Sequence, residues 1–232
     1  MLPPTLRKLF FGLMLLVCVA TAQASPRKVH VVLLGSVRHV PYSAIGDPAG
    51  ANATEKDLKI RSLLVDGVVK ETTTGESHDV TDRSFAIRRA IRLNDSLPRD
   101  KVAKWVWQRG PWLLVDRQTG HITALHLPDY DPLVSNPVWF RDYTAYCGLT
   151  ASGKQLYAVV AQVGARKPLL AKKLGGFDPA DHATPVCAPS LWQREPLRVT
   201  FQVGKTPPVS FDLIGSSAVL VEDSEDADDA AR

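Results

Sequence analysis

The sequence predicts an all-β, antiparallel protein, and three observations support this prediction. Apolar residues alternate with polar ones along most of the chain, turn-forming residues separate these runs at short intervals, and no long stretch shows helical spacing. We count roughly a dozen short strands and no long helix in the mature chain. Such a series of strands indicates a small β-propeller-like architecture or a β-sandwich.

Three strand predictions come from the first half of the chain. The stretch "KVHVVLLGSV" is rich in Val and Leu and ends at Gly35, which predicts a buried strand. In "LKIRSLLVDGVVKETTTG" the pair Asp66-Gly67 separates two apolar runs, the strongest short signal for a β-hairpin. The stretch "RSFAIRRAIRLND" fits a strand better than a helix, because its apolar residues share one face at period two, with Arg89 as the exception: Phe85, Ile87, Ile91 and Leu93.

The second half of the chain continues the pattern. "WLLVDRQTGHITALHL" predicts two strands around a turn at 118–120, and the region that follows predicts three strands with turns at 152–154 and 164–166. The segment 197–221 supplies three more short strands. Residues 137–174 have the pattern of a propeller blade, an inner strand and a three-strand meander, but no period of about forty residues repeats along the chain. Propeller and sandwich therefore both stay open.

The N-terminal residues indicate export. Arg7 and Lys8 precede the apolar run "LFFGLMLLVCVA", which is short for a membrane span, and Ala22 and Ala24 are small residues of the kind that a signal peptidase requires. We interpret residues 1–24 as a cleaved signal peptide, residues 25–221 as one all-β globular domain and residues 222–232 as a disordered acidic tail. The expected location is periplasmic or secreted, with no transmembrane span after signal removal.

The cysteines agree with an oxidising destination. Removal of the leader leaves Cys147 and Cys187, which we predict to form a disulfide. The loop that they close is worth roughly 3 to 4 kcal/mol in the chain-entropy description. Two buried thiols are the alternative, because cysteine also packs as a small apolar residue.

Charge is distributed unevenly along the chain. The whole sequence has 28 basic and 24 acidic residues; the leader holds two of the basic residues, and the tail holds six acids and one arginine. The segment 25–221 therefore keeps 25 basic and 18 acidic residues, a net charge of +7. A basic domain favours an acidic partner, and the tail either solvates the protein or folds over a basic patch and competes with that partner.

One tripeptide, Trp-Gln-Arg, occurs twice and each time shortly precedes a proline. The copies place Trp107 and Arg109 in one region and Trp192 and Arg194 in another. We expect both to begin a strand, with tryptophan covering the margin of the core, because proline suits the first position of a strand. The alternative is a paired binding site in which the two Trp–Arg pairs stack on a sugar or a peptide.

Two polar clusters are candidates for chemistry. "GESHDVTDRS" brings together potential metal ligands and carboxylates, namely Glu76, His78, Asp79 and Asp82, at a spacing that matches neither a calcium loop nor a helical zinc motif. "HLPDYDP" offers Asp129 and Asp131 as an acid and base pair in a proline-flanked loop. Ordinary turn chemistry explains the composition of both clusters equally well.

These observations favour an exported binding or assembly module. The expected partner is an envelope protein, a peptide or a glycan; nucleic acid is disfavoured by the compartment, and no cofactor and no oligomeric state are predicted. The chain lacks a nucleophile elbow and a phosphate-binding loop. Whether it is an enzyme is left open: the alternative is a hydrolase of envelope polymers that uses the carboxylates in 76–82 or 126–131.

The signal-peptide interpretation predicts the N-terminus of the mature protein. We expect the exported protein to begin at Ser25, because Ala22 and Ala24 occupy the small-residue positions before the cut. Intact-mass measurement of protein recovered from outside the cytoplasm tests this expectation. A mass that retains residues 1–24 would contradict it and would indicate a membrane anchor.

Overall fold

A computed structural model describes residues 29–43, 57–132, 134–178, 186–215 and 217–221. These ranges contain fifteen strands, no helix and only antiparallel sheets, which confirms the predicted fold class. In the ranges described, nothing forms a helix with the length and apolarity needed to cross a bilayer. The predicted signal peptide (1–24) and acidic tail (222–232) lie outside the described residues.

The first sheet is the largest, with seven strands in the order β1-β3-β4-β5-β6-β7 and with β2 also paired to β3. Its strands are β1 Val32–Leu34, β2 Arg38–Pro41, β3 Asp57–Val65, β4 Val68–Asp79, β5 Ser84–Asn94, β6 Trp105–Asp116 and β7 Ile122–Ala124. The pairing of β5 with β6 is the longest in the protein and extends from Ser84–Asp116 to Asn94–Trp105. β1 and β7 lie at opposite ends of the strand order.

The predicted hairpin at Asp66-Gly67 joins β3 to β4. Both residues have positive φ angles, 52° and 78°, as a two-residue primed turn requires. The Asp66 carboxylate accepts hydrogen bonds from the Val31 N–H at 3.0 Å and from the His30 ring at 2.8 Å. The turn therefore also holds the segment that leads into β1.

The other two sheets each have four strands in a simple meander. The second contains β8 Val138–Phe140, β9 Tyr143–Leu149, β10 Gln155–Gln162 and β11 Leu170–Gly176; the third contains β12 Leu191–Gln193, β13 Arg198–Phe201, β14 Val209–Ile214 and β15 Ser217–Val221. The strand and meander predicted for 137–174 are thus present as the second sheet. The three strands predicted for 197–221 form most of the third.

The main hydrophobic core lies between the second and third sheets. Ala158 and Val160 of β10 face Phe201 and Phe211 of the third sheet, and all four are nearly inaccessible to solvent. The disulfide between Cys147 and Cys187 is buried in this core, as predicted. A disulfide of this kind persists in an oxidising compartment, which agrees with export.

The second sheet is the middle layer. Its opposite face carries Tyr146, which packs against Leu127 in the connection between β7 and β8, and Trp139 of β8 contacts Trp112 of the first sheet. Burial raises the pKa of the Tyr146 hydroxyl, which donates a hydrogen bond to the Pro128 carbonyl at 2.7 Å. The protonated phenol thus holds the connection between the first two sheets in place.

The expectation of a buried strand in "KVHVVLLGSV" is wrong. β1 has only three residues, and Leu33 in its centre is 57% exposed. Val32 and Leu34 pack on the core of the first sheet, whereas Leu33 points to the opposite face of the strand and meets solvent. The sequence does not reveal which face is exposed, because apolar residues occupy both faces of the strand around Leu33.

The disulfide should stabilise the protein by restricting its unfolded chain. The cysteines are 40 residues apart, so replacing both with alanine should lower the free energy of unfolding by roughly 3 to 4 kcal/mol. Chemical denaturation of the double variant and the parent protein measures the difference. The native protein should also take up no thiol-blocking reagent before reduction, and uptake of two labels would contradict the bond.

Candidate functional site

The two Trp-Gln-Arg copies occupy different structural positions. The first copy lies inside β6, two residues after the strand begins, whereas the second ends β12 and enters a turn, so the prediction that both begin a strand is wrong. Pro111 lies where β6 contributes one extra residue to its pairing with β5, and Pro196 lies in the turn after β12. Both positions tolerate a missing N–H donor, which is why the same sequence suits two environments.

The first copy belongs to an internal network of contacts. The side chain of Arg109 is 10% exposed and bonds Glu76 Oε1 at 3.2 Å and the Tyr42 hydroxyl at 2.8 Å. Its guanidinium also lies 5.1 Å from the centre of the Tyr42 ring. Trp107 is half-buried and packs beside Leu58 and Ile60. The Arg109 side chain and one face of Trp107 thus make contacts within the protein.

A second arginine of the network is buried more deeply. Arg88 is 2% exposed; its Nε donates to the Gly110 carbonyl at 3.3 Å and its Nη1 to Asn136 Oδ1 at 3.2 Å. The same Nη1 lies 3.9 Å from Glu76 Oε2. Because arginine stays charged at every accessible pH, this charge requires a carboxylate nearby. Glu76, predicted as a metal ligand, thus lies between two guanidinium groups.

The second copy holds the third sheet against the second. Trp192 donates its indole N–H to the Val138 carbonyl at 3.0 Å and stacks on Phe140 with ring centres 5.4 Å apart. Arg194 is exposed in the turn after β12. The structure does not bring the two Trp-Gln-Arg copies together in one site, and a binding role for their side chains stays a prediction.

The rest of the first polar cluster also has separate partners. His78 lies 2.7 Å from the Arg141 carbonyl and stacks on Trp139, while Asp79 pairs with Arg117 at 2.6 Å. Asp82 is exposed in the turn between β4 and β5. Within the described ranges, no three His, Cys, Asp or Glu side chains converge as metal ligands would.

The second polar cluster is held by its main chain. The Asp129 carbonyl accepts a hydrogen bond from Leu149 at 2.8 Å, and the Asp131 carbonyl accepts one from Val134 at 3.1 Å. Asp129 has a φ angle of 54°, a conformation that aspartate tolerates in turns. A role for the two carboxylates as an acid and a base stays a prediction.

The most open feature is the outer edge of β7. The Asp116 N–H bonds the His121 carbonyl and the Leu125 N–H bonds the Trp112 carbonyl, both at 2.9 Å. Because antiparallel pairing alternates, the main-chain groups of Ile122 and Ala124 point away from β6. Among the described strands, none pairs with this outer side of β7.

A cleft opens on each face of the sheet beside this edge. The larger, about 620 Å³, is lined by residues that include Arg83, Ser84, Leu114, Asp116, His121 and Thr123. The smaller, about 380 Å³, is lined by residues that include Lys70, Glu71, Arg89, Leu113, His121 and Ala124. His121 and Thr123 line both clefts, at the edge itself. Leu114 and Asp116 line only the larger cleft, whereas Leu113 and its partner Ala124 line only the smaller, so the two clefts extend over opposite faces.

The turn that presents β7 is fixed by one carboxylate. The pKa of Asp116 is held below its ordinary value of 3.8, first by the Thr119 N–H, then by the Gln118 N–H and by Arg83. These donors lie 3.0, 2.8 and 2.7 Å from the carboxylate oxygens. Gly120 completes the turn with a φ angle of 64°, and a side chain there would collide with Val65. The edge is therefore held in a defined position.

The two clefts differ in charge. In the larger cleft Arg83 and Asp116 neutralise each other at 2.7 Å. In the smaller cleft Glu71 pairs with Arg89 at 2.9 Å, which leaves the exposed Lys70 as an additional positive charge. A ligand that spans the edge would thus meet a neutral surface on one face and a positive one on the other.

Sequence reasoning predicted β7 as a strand but missed its position at the edge. The short run "ITA" between His121 and His126 was the available signal, because edge strands are often very short. The position of a strand in a sheet and the residues beside it depend on distant parts of the chain; Lys70, for example, lines the smaller cleft next to β7.

Fold and site together define an all-β protein of three antiparallel sheets with an open edge strand between two clefts. No protein-family model, curated protein or solved structure matches the chain.

Arg109 and Arg194 occupy the same position in the repeated tripeptide but have different surroundings, so replacing them should affect stability unequally. Arg109→Ala should lower the free energy of unfolding by about 2 to 4 kcal/mol, because it leaves Glu76 and Tyr42 without a major partner. Arg194→Ala, in the same tripeptide, should change it by less than about 0.5 kcal/mol. Denaturant titration of both variants measures this, and equal effects would contradict the assigned contacts.

The lowered pKa of Asp116 predicts that the stability of the protein depends on pH. Because the pKa of Asp116 is lowered in the folded state, its contribution is present above pH 3.8 and is lost as the pH falls through the folded value. Asp116→Asn should therefore be less stable than the parent protein at neutral pH, and the difference should shrink in acid. Unfolding measured across this range tests the sign; a difference that does not vary with pH would contradict it.

Proposed function

We propose that this protein is an exported binding module that captures an extended peptide segment by adding it as a strand to β7. The observation that carries the proposal is the open outer edge of β7 between two clefts on opposite faces. Strand addition is a common mode of peptide recognition, in which main-chain hydrogen bonds give affinity and pockets for alternate side chains give specificity.

The period of an extended chain fits this arrangement. Successive side chains of a strand point to opposite faces, so neighbouring residues of a bound peptide would enter different clefts. The outward N–H and C=O groups of Ile122 and Ala124 would bond the peptide main chain. These are four hydrogen bonds, each contributing about 0.5 to 1.5 kcal/mol. Because β7 is short, the side-chain contacts in the clefts must supply much of the affinity.

Charge in the clefts indicates what the peptide contains. An acidic side chain suits the smaller cleft, where Lys70 adds positive charge to the Glu71–Arg89 pair. A small apolar or hydroxyl side chain suits the larger cleft, beside Leu114, Ser84 and Thr123. The net charge of +7 over residues 25–221 adds long-range attraction for an acidic partner.

A substitution at one main-chain donor tests the proposal. A random-peptide display library is selected on the mature protein, and the enriched peptide is synthesised and titrated. Ala124→Pro removes an outward N–H without disturbing the pairing to β6, so it should weaken binding at least about tenfold. Ala124→Val changes the same side chain but keeps the donor, and it should bind within about threefold of the parent protein.

Methylation of the peptide main chain gives an independent readout. N-methyl groups at alternate peptide positions should abolish binding, whereas methyl groups at the intervening positions should have little effect, because only every second N–H faces β7. Equal effects at all positions, or binding that Ala124→Pro leaves unchanged, would contradict strand addition at this edge.

The alternative function is hydrolysis of envelope polymers. Its acid and base would come from Asp79, Asp82, Asp129 and Asp131. Asp79 pairs with Arg117. Catalysis by these residues stays a prediction.

A further inference from the structure

The end of the β5–β6 hairpin extends beyond the strands beside it. The last pairing of β5 with β4 is at Arg89, and the bridge of β6 to Tyr42 is at Trp107. Residues 92–105, which we call the tip, therefore continue past these neighbours in the part of the chain that the structure describes. The tip lies at one end of β6, and β7 pairs with the other.

The tip has a defined conformation. The Asn94 side-chain oxygen accepts hydrogen bonds from the N–H and hydroxyl of Ser96 and from the Lys104 N–H, at 2.8 to 3.2 Å. Asp100 accepts the Leu97 N–H at 2.7 Å, and the Asp95 N–H bonds the Lys104 carbonyl at 2.7 Å. These bonds close the loop on itself.

Large apolar side chains nevertheless point into solvent at the tip. Val102 is 79% exposed, Leu97 69%, Trp105 48% and Leu93 39%. Leu93 pairs with Val106 and Trp105 with Asn94, so Leu93 faces the opposite side of the hairpin from Trp105. Single exposed apolar residues are ordinary, but Leu97, Val102 and Trp105 lie within nine positions of one loop, which indicates a contact surface.

Positive charge accompanies this apolar surface. The tip has four basic residues (Arg92, Arg99, Lys101 and Lys104) and two acidic ones, Asp95 and Asp100, so its net charge is +2. Both acids are engaged inside the loop, Asp100 with the Leu97 N–H and Asp95 with Lys104 at 3.3 Å. Arg92 lies over the Trp105 ring, 4.7 Å from its centre.

We propose that the tip binds the surface of an anionic lipid bilayer. Leu97 and Val102 would enter the boundary between headgroups and acyl chains, and Trp105 would lie at the headgroup level that tryptophan prefers. Arg99 and Lys101 would meet lipid phosphates while their aliphatic stems stay near the apolar region. The positive charge favours this occupant over a second copy of the same basic domain.

The inference goes beyond peptide capture because it uses the other end of β6. Trp105 and Leu114, at the tip and beside β7, are nine residues apart on one strand, a separation of roughly 30 Å. The protein would therefore hold a peptide at β7 while the tip contacts a membrane.

Vesicle sedimentation tests the proposal with the full mature chain. We expect binding to vesicles of phosphatidylglycerol and phosphatidylcholine, weaker binding at high salt, and little binding to phosphatidylcholine alone. Tryptophan fluorescence should shift to the blue on binding, and Trp105→Phe should remove most of that shift. Trp107, which pairs with Arg92 at the base of the tip, is half-buried beside Leu58 and Ile60, and the other three tryptophans lie outside the tip.

Matched variants distinguish vesicle binding by the tip from non-specific attraction of anionic vesicles to a basic protein. Leu97→Asp with Val102→Asp, and Arg99→Glu with Lys101→Glu, should each weaken vesicle binding at least about tenfold. Lys172→Glu with Lys173→Glu makes the same charge change at exposed positions of β11 and should weaken it less than about threefold. Melting temperatures confirm that each variant is folded, and peptide binding at β7 should be unchanged.

Three results would overturn the proposal. They are no binding to anionic vesicles, an equal loss in the β11 control, and tip variants that alter the sedimentation velocity of the protein without altering vesicle binding. The last would assign the surface to contact between copies of the chain. Each result leaves peptide capture untouched, so the two proposals fail independently.

Discussion

A buried arginine is the constraint on which the arrangement of the first two sheets depends. The buried guanidinium of Arg88 is surrounded by acceptors from three segments: Glu76 from β4, the Gly110 carbonyl from β6 and Asn136 from the segment before β8. The extra residue in β6 places that carbonyl within reach. Polar contacts at defined positions therefore fix how the first and second sheets meet, in addition to their apolar contacts.

Local signals in the sequence were sufficient for most strands and for the turn at Asp66-Gly67, because alternation and turn chemistry depend on neighbouring residues. The disulfide was predictable since only two cysteines follow the leader. Position within a sheet was not predictable: β1 was expected to be buried but lies at an edge. Trp-Gln-Arg shows the same limit, because identical residues contact different partners in β6 and after β12.

The candidate site was harder to predict than the fold because its chemistry is in the main chain. Polar side chains attract attention in a sequence, yet Glu76 and Asp79 pair with arginines that are distant in sequence. An open strand edge has no residue signature, since every amino acid except proline presents the same N–H and C=O. Its recognition requires knowing which strand has no neighbour, and that follows only from the assembled sheet.

The long pairing of β5 with β6 has a mechanical consequence. Hydrogen bonds between antiparallel strands lie across the strand direction, so tension applied along β6 loads the bonds from Ser84–Asp116 to Asn94–Trp105 in shear and shares the force among them. β7 has only three paired residues, and force applied across it would break its bonds one after another. The same sheet thus combines a stiff axis with an edge that peels easily.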